Sequence, residues 1–332
     1  MIIIRLNGLK YDVVTKMKKV NVVVVTYNRR NCLLKLLDGL KDQTYPIESV
    51  IIVDNHSTDD TNTYLEKKGY INSISDGETS IKISNGIRFV YYRNYINTGG
   101  SGGFAKSFEI AMNYNCDYLW IMDDDVLPER DCLKKLINSI SDDAQAVIPN
   151  RTDENYSDRV CVELDLKCTT KFSIMRRKTF VKHPLVEQSY YVKDFPFEGP
   201  LISFEIVKQV GLPCADYFIL CDDTDYAIRV QQYTKIKFVT SAILHRQLAK
   251  KKTNENKTFT WRDYYAIRNS ILIQKKYGTT FGARYISPII AWNWWFVLSV
   301  YKRRFKNLRI LNMAVRDGLN NRWGKFVNPG DF

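Results

Sequence analysis

The chain has 332 residues, is 45% hydrophobic, and carries seven cysteines and a net charge of +13. That length and apolar content allow one large core or two modest ones, and they exclude a fibrous or disordered chain. An odd cysteine count with no CxxC pair argues against a disulfide framework or zinc site, and the opening Met1–Arg5 is too short an apolar run for a cleaved signal, so the expected setting is reducing and cytoplasmic.

Asn7-Gly8 between two apolar runs predicts a hairpin within an N-terminal extension, residues 1–18, and Met17 stands as a second candidate start. Residues 20–26 (VNVVVVT) read as a buried parallel strand, followed by Leu33, Leu36, Leu37 and Leu40 at helical spacing. Val50–Val53 is a second buried strand ending at Asp54, after which Ser57 or Thr58 can cap a helix that Gly69 closes. Arg88–Tyr92 is a third strand, followed by a glycine-rich loop and a helix carrying Phe104, Phe108, Ala111 and Met112. Tyr118–Met122 is the fourth. This alternation implies an α/β fold with a mostly parallel sheet flanked by helices, and residues 19–248 read as its domain. Residues 150–196 read as loop-rich or β structure over the strand ends. A helix is expected over 203–210, and two helical stretches over 261–277 and 285–317 form a basic, Trp-rich C-terminal region, residues 249–332.

In such sheets ligands sit outside the carboxyl ends of the strands, where this chain places Thr26–Arg29, Asp54–Ser57, Asn97–Gly100 and Asp123–Asp125. Three adjacent carboxylates repel one another, and a divalent cation with oxygen ligands relieves the repulsion. His245, closing the apolar run 238–244, suits the single imidazole that manganese-type sites commonly add. Asp222 and Asp223 open a helical pattern and can either cap it or hold a raised pKa suited to proton abstraction. Arg229 on the same helix is expected to pair with one and leave the other as base. Two nucleotide motifs fail: Gly100–Ser107 approaches a P-loop but has Ala105 where glycine is required, and GxGxxG is absent.

Residues 250–332 hold 17 Lys and Arg against 4 Asp and Glu, an excess equal to that of the whole chain. There the apolar stretch Tyr285–Tyr301 runs into Lys302–Lys306. It is marginal as a membrane span, and its tryptophans above a basic collar suit a segment lying in a membrane interface. Charge alone also admits a non-enzymatic nucleic-acid or membrane-binding module, although the acidic crevice repels phosphates unless a metal is present. A nucleotidyltransferase on a similar core is a rival enzyme.

Six motifs in order, VTYNR (25–29), VDNHSTD (53–59), NTGGSGGF (97–104), MDDD (122–125), DDTDY (222–226) and His245, resemble the inverting family-two glycosyltransferases of GT-A fold. GGSGGF, the triple Asp and the late DDTDY most resemble bacterial galactofuranosyltransferases, with dTDP-rhamnose-dependent rhamnosyltransferases as near relatives. The resemblance implies that Thr26, Asn28, Arg29 and Asp54 hold uridine, that Asn97, Gly99 and Gly100 let the donor approach, and that Asp124 faces the donor sugar. It implies that Asp123, Asp125 and His245 bind Mn²⁺ or Mg²⁺, and that Asp223 is the base. Glu198 and Trp261 sit in acceptor-side surroundings. The implied partners are a nucleotide-sugar donor, a lipid-linked or oligosaccharide acceptor of surface polysaccharide synthesis (O-antigen or capsule) and the inner face of the cytoplasmic membrane, with no nucleic acid. Acceptor identity, linkage and oligomeric state stay open.

Overall fold

The computed structural model describes residues 2–6, 9–13, 17–153, 156–248, 258–328 and 330–331. Strands β1 (Ile2–Leu6) and β2 (Leu9–Val13) pair antiparallel with Leu6 opposite Leu9, as the hairpin expectation requires; its Asn7-Gly8 turn lies outside the described residues.

The main sheet is built from β3 (Val20–Thr26), β4 (Ser49–Asp54), β5 (Thr79–Ser84), β6 (Ile87–Arg93), β7 (Tyr118–Asp123), β8 (Val126–Pro128) and β9 (Ala146–Asn150). Between these strands run helices α1 (Arg30–Lys41), α2 (Thr61–Lys67), α3 (Gly99–Ala111) and α4 (Cys132–Ser139). A small antiparallel pair, β10 (Cys161–Leu164) and β11 (Lys178–Phe180), precedes β12 (Ser189–Val192) and β13 (Leu201–Ser203). Then follow α5 (Phe204–Val210), α6 (Asp222–Val230), β14 (Ile236–Arg246) and three C-terminal helices, α7 (Trp261–Tyr277), α8 (Ser287–Tyr301) and α9 (Lys306–Leu319).

The strand order is β12-β14-β9-β13-β7-β3-β4-β6-β5, with β8 pairing β14. The central run β7-β3-β4-β6 is parallel, while β13 enters antiparallel between β7 and β9. Helices cover both faces, so β3 must be apolar on both sides. Val22 and Val24 pack against Leu33, Leu36, Leu37 and Leu40 of α1, and Val23 and Val25 join the core of Phe104 and Phe108 from α3.

Three local expectations change. The glycine-rich segment is no loop, because α3 already begins at Gly99. Gly99 has φ +75°, and a Cβ there would stand 2.0 Å from the Phe218 carbonyl oxygen; one on Gly103 would meet Val25 at 2.5 Å. Gly103 thus lets α3 seat tightly on β3 and Gly99 lets it approach the turn before α6, whereas Gly100 faces open space. Ser57 and Thr58 do not cap α2, which starts only at Thr61. The expected helical stretch over 285–317 breaks at 302–305 into α8 and α9. Among the described residues, no helix is long and apolar enough to cross a membrane.

Candidate active site

The parallel strands end side by side, and the polar residues that follow them are tied together. Asp54 is fully buried: Tyr91 Oη donates to its Oδ2 (2.6 Å), Arg93 Nη1 lies 3.2 Å from the same oxygen, and the Ser57 amide donates to Oδ1 (2.7 Å). The Asn28 amide donates to Ser57 Oγ (2.9 Å), and its own Oδ1 accepts from the Thr58 amide (2.7 Å). Asn97 Oδ1 accepts from the Gly99 amide (2.8 Å) and from Asn55 Nδ2 (3.1 Å). Asn55, to which the sequence assigned no separate role, is the hub of this group. Its amide also donates to Gly99 O (2.8 Å), and its Oδ1 accepts from Asn94 and Thr98. Such saturation holds the rim of the crevice in one geometry.

The acidic turn behaves differently. Thr26 Oγ1 donates to Asp124 Oδ2 (2.7 Å), and Arg29 Nη1 lies 3.0 Å from Asp124 Oδ1 and 2.8 Å from Asp125 Oδ2. Burial lifts the Asp124 carboxyl to about 6 against the pull of Arg29 and Thr26. Asp123 is held well above the ordinary carboxylate range, first by burial and then by the charges of Glu198, Asp125 and Asp124. One guanidinium does not neutralise this group, and Asp125 Oδ1 is buried without a hydrogen-bond partner. An orphaned buried acceptor amid surplus negative charge is chemistry that suits a hard divalent cation. Asp123 and Asp125 are the residues that could hold one.

His245 does not join them in this conformation. It lies opposite Leu127 in the β14–β8 pairing, with Nε2 3.2 Å from Glu129 and Nδ1 3.5 Å from Asp153. Among the described residues, no three His, Cys, Asp or Glu side chains converge into a metal-binding group. The tail of β14 serves the turn in another way: the Gln247 amide donates to Asp125 O (2.8 Å), and its side chain donates to Cys32 O and Val126 O.

Next to the first turn of α3, where the Ser101 amide donates to Phe218 O (3.2 Å), α6 begins at Asp222, after Phe218, Leu220 and Cys221 with φ of 65°, 66° and 70°. Three non-glycine residues in left-handed conformations persist only where the surroundings impose them. Those surroundings come from α7, where the Asn269 amide donates to Tyr217 O (3.1 Å), Ile219 O (2.7 Å) and Leu220 O (2.9 Å). Arg268 Nη2 adds a bond to Tyr217 O (2.9 Å), and both residues are wholly buried.

The fixed turn presents two carboxyls in different environments. Burial raises Asp222 to about 6. Burial, then the charges of Asp222 and Asp194, raise Asp223 to about 7, with Lys178 opposing. Asp222 is buried and Asp223 is half-buried, so Asp223 is the more accessible of the two. Arg229 pairs with neither, contrary to expectation: its Nε lies 3.0 Å from Asp225 Oδ2, and its other nitrogens donate to Val210 O and Leu212 O. Four residues separate Asp225 from Arg229, one helical turn, whereas Asp222 and Asp223 lie nearly two turns away.

Glu198 Oε2 accepts from Arg151 Nη1 (2.6 Å), and its Oε1 is 3.5 Å from Arg246. Trp261 opens α7 behind a Thr260–Asp263 capping box and packs edge-on against Tyr265. The next residue, Arg262, was not foreseen. Burial and the positive charge of Arg29 lower its pKa, while Asp123 opposes the shift, so it lies within the electrostatic reach of the acidic turn.

A mixed sheet with a parallel centre, an acidic turn closing β7 and a second carboxyl pair opening α6 are features of a GT-A-type fold. Residues 21–193 match Glycosyl transferase family 2, and the chain belongs to that family. It is 32% identical over 103 residues to galactofuranosyltransferase GlfT1 of Mycobacterium tuberculosis, a stretch covering 31% of this chain and 29% of that relative. Two solved structures share the fold at 14% identity. A mannosyltransferase, PcManGT from Pyrobaculum calidifontis in complex with GDP-Man and Mn²⁺, has a TM-score of 0.54, with 93% of this chain and 89% of that one covered. GalNAc-T7 with UDP, GalNAc and Mn²⁺ has a TM-score of 0.57, with 78% of this chain and 48% of that one covered.

Proposed function

We propose that the protein is an inverting, metal-dependent transferase that moves galactofuranose from UDP-galactofuranose to a hydroxyl of a lipid-linked or oligosaccharide acceptor in bacterial surface polysaccharide synthesis. The observation that carries the reading is a pair of carboxylate groups, one closing β7 and the other opening α6. One holds surplus charge around an orphaned Asp125 oxygen, and the other has its more open member, Asp223, raised to about 7. The first suits the diphosphate of a nucleotide sugar once a cation is bound, and the second suits a general base.

In this mechanism the rim formed by Thr26, Asn28, Asp54 and Asn97 shapes the uridine side, and Gly100 leaves space for the donor. Mn²⁺ or Mg²⁺ held by Asp123 and Asp125 would supply Lewis-acid stabilisation of the departing UDP. Arg29 and Arg262 add positive charge at the same end. Asp223 takes the proton of the acceptor hydroxyl; that oxygen attacks the anomeric carbon from the side opposite UDP, and the C–O bond to UDP breaks with its electron pair leaving on the diphosphate. Asp222 supports this by its charge, which raises the basicity of Asp223. Glu198 and Trp261 flank the acceptor side. Within this proposal residues 19–248 form the catalytic domain, and residues 249–332 complete its acceptor side and bring it to a membrane surface.

The galactofuranose assignment draws support from the partial similarity to GlfT1. It is tested by product analysis across UDP-galactofuranose, UDP-galactopyranose, UDP-glucose and dTDP-rhamnose with Mn²⁺. Selective consumption of UDP-galactofuranose is expected. Selection of dTDP-rhamnose would keep the mechanism and replace the donor, and no turnover of any sugar nucleotide would overturn the proposal.

A further inference from the structure

Helix α8 is built inside out for a helix facing water. Its inner side buries Ser287, Pro288, Ala291 and Ser299, and Ser287 Oγ accepts from Arg177 Nη2 (3.0 Å). Its outer side carries Ile289, Val297 and Val300, in register with Ile286 just before it and flanked by Trp294 and Tyr301, all exposed. The exposures are substantial: Ile289 is 51% accessible, Val297 64% and Tyr301 83%. Asn293 is the one polar residue on that stripe, and its amide is turned back onto Ile289 O (3.0 Å). The stripe ends at exposed Lys302, Arg303 and Lys306, with exposed Phe305 among them.

Contiguous exposed hydrocarbon of this kind marks an interaction surface. At 15 residues α8 is about 22 Å long, short of the roughly 30 Å hydrocarbon core of a bilayer. Trp and Tyr prefer the headgroup level, and a basic cluster beside them prefers anionic lipid. A second copy of this chain would bring the same +13 charge to the contact; an anionic membrane brings the opposite charge.

We propose that the outer face of α8 docks the protein on the surface of an anionic lipid bilayer, the helix lying in the interface plane with Lys302, Arg303 and Lys306 among the headgroups. The inference does not rest on the donor assignment, because docking is read without any sugar nucleotide.

The test is co-sedimentation of the full chain with vesicles of phosphatidylcholine, with and without phosphatidylglycerol, for the wild type and for a triple variant, Ile289→Ser, Val297→Ser and Val300→Ser. None of these side chains reaches the crevice. The wild type is expected to sediment with the anionic vesicles, less with the neutral ones, and the triple variant to lose about tenfold or more of that partition. Brominated lipid should quench tryptophan fluorescence in the wild type and less in Trp294→Phe, which keeps the idea testable if the triple variant misfolds. A wild type that stays in the supernatant, a folded triple variant that sediments equally, or a wild-type dimer that dissociates in the triple variant while neither binds vesicles would each overturn the proposal.

Discussion

The strand-end crevice and the outer face of α8 depart from the usual partition of residues in opposite directions. The crevice buries Asp124, Asp125 and Asp222 and half-buries Asp123 and Asp223 with incomplete compensation, while α8 leaves Ile289, Val297 and Val300 in contact with solvent. Folding gains from neither. Burying carboxyls raises their pKa and costs stability whenever they ionise, and exposed aliphatic groups forgo the transfer energy that Leu33, Leu36 and Leu37 collect beneath α1. The contrast with α1 is instructive, since its outward positions Asn31, Lys35 and Asp38 are polar and its inward ones are leucines. Violations of ordinary patterning tend to mark where a protein meets something else; on the proposed reading one meets a charged ligand and the other a lipid surface.

The largest expected effect breaks the crevice side of the comparison. Asp223→Asn should cut the transfer rate by about 10² to 10⁴, the usual contribution of a placed base, and should stabilise the fold. The folded state resists ionising this carboxyl up to about pH 7. The stability cost is therefore absent below the unfolded value near 4, grows as pH rises and is complete above about 7. Melting curves should show the variant gaining at pH 8 and not at pH 4; a variant that loses stability at pH 8 would contradict the assignment. In the wild type the rate should rise with pH through the apparent pKa of the Asp222–Asp223 pair.

A smaller effect tests how the base is positioned. Asn269→Ala removes the amide that holds the carbonyls of 217–220 and frees the left-handed turn to relax. Displacement of a reacting group by about 1 Å can cost on the order of 10² in rate. The predicted signature is a kcat lowered by about tenfold to a hundredfold with donor KM unchanged. A kcat that returns to the wild-type value once it is divided by the folded fraction would reduce Asn269 to a purely structural residue.

The smallest effect, that of Val297→Ala, sharpens the other side. Leu36→Ala under α1 should lower unfolding free energy by about 2–5 kcal/mol in urea titrations, whereas Val297→Ala on α8 should stay within about 0.5 kcal/mol. Comparable losses would mean that the α8 face is packed within the monomer.

Much of this was legible in the sequence because it is local. The run Val22–Val25 dictates a strand buried on both faces, the leucine spacing dictates α1, and acidic residues directly after an apolar strand must emerge at its end. What was not legible depends on contacts between distant segments. Gly99 and Gly103 look like a ligand loop until Phe218 and Val25 are seen against them. The antiparallel entry of β13 between β7 and β9 leaves no mark in the three residues Leu201–Ser203. Asn269 acts on carbonyls about 50 positions earlier, and Arg262 feels the charge of Asp123 from well over a hundred positions away in the chain. The exception is Arg229, where helical spacing alone would have chosen Asp225 over Asp222 or Asp223.

The central claim is that the acidic turn, with a divalent cation, receives the diphosphate of a nucleotide sugar. Calorimetric titration of UDP into the wild type and Asp125→Ala, each with and without Mn²⁺, addresses it directly. The account predicts that Mn²⁺ tightens UDP binding to the wild type by at least about tenfold, or 1.4 kcal/mol, and that Asp125→Ala loses this gain while staying folded. Equal UDP affinity with and without Mn²⁺, or an Asp125→Ala variant that keeps the full metal effect, would contradict it.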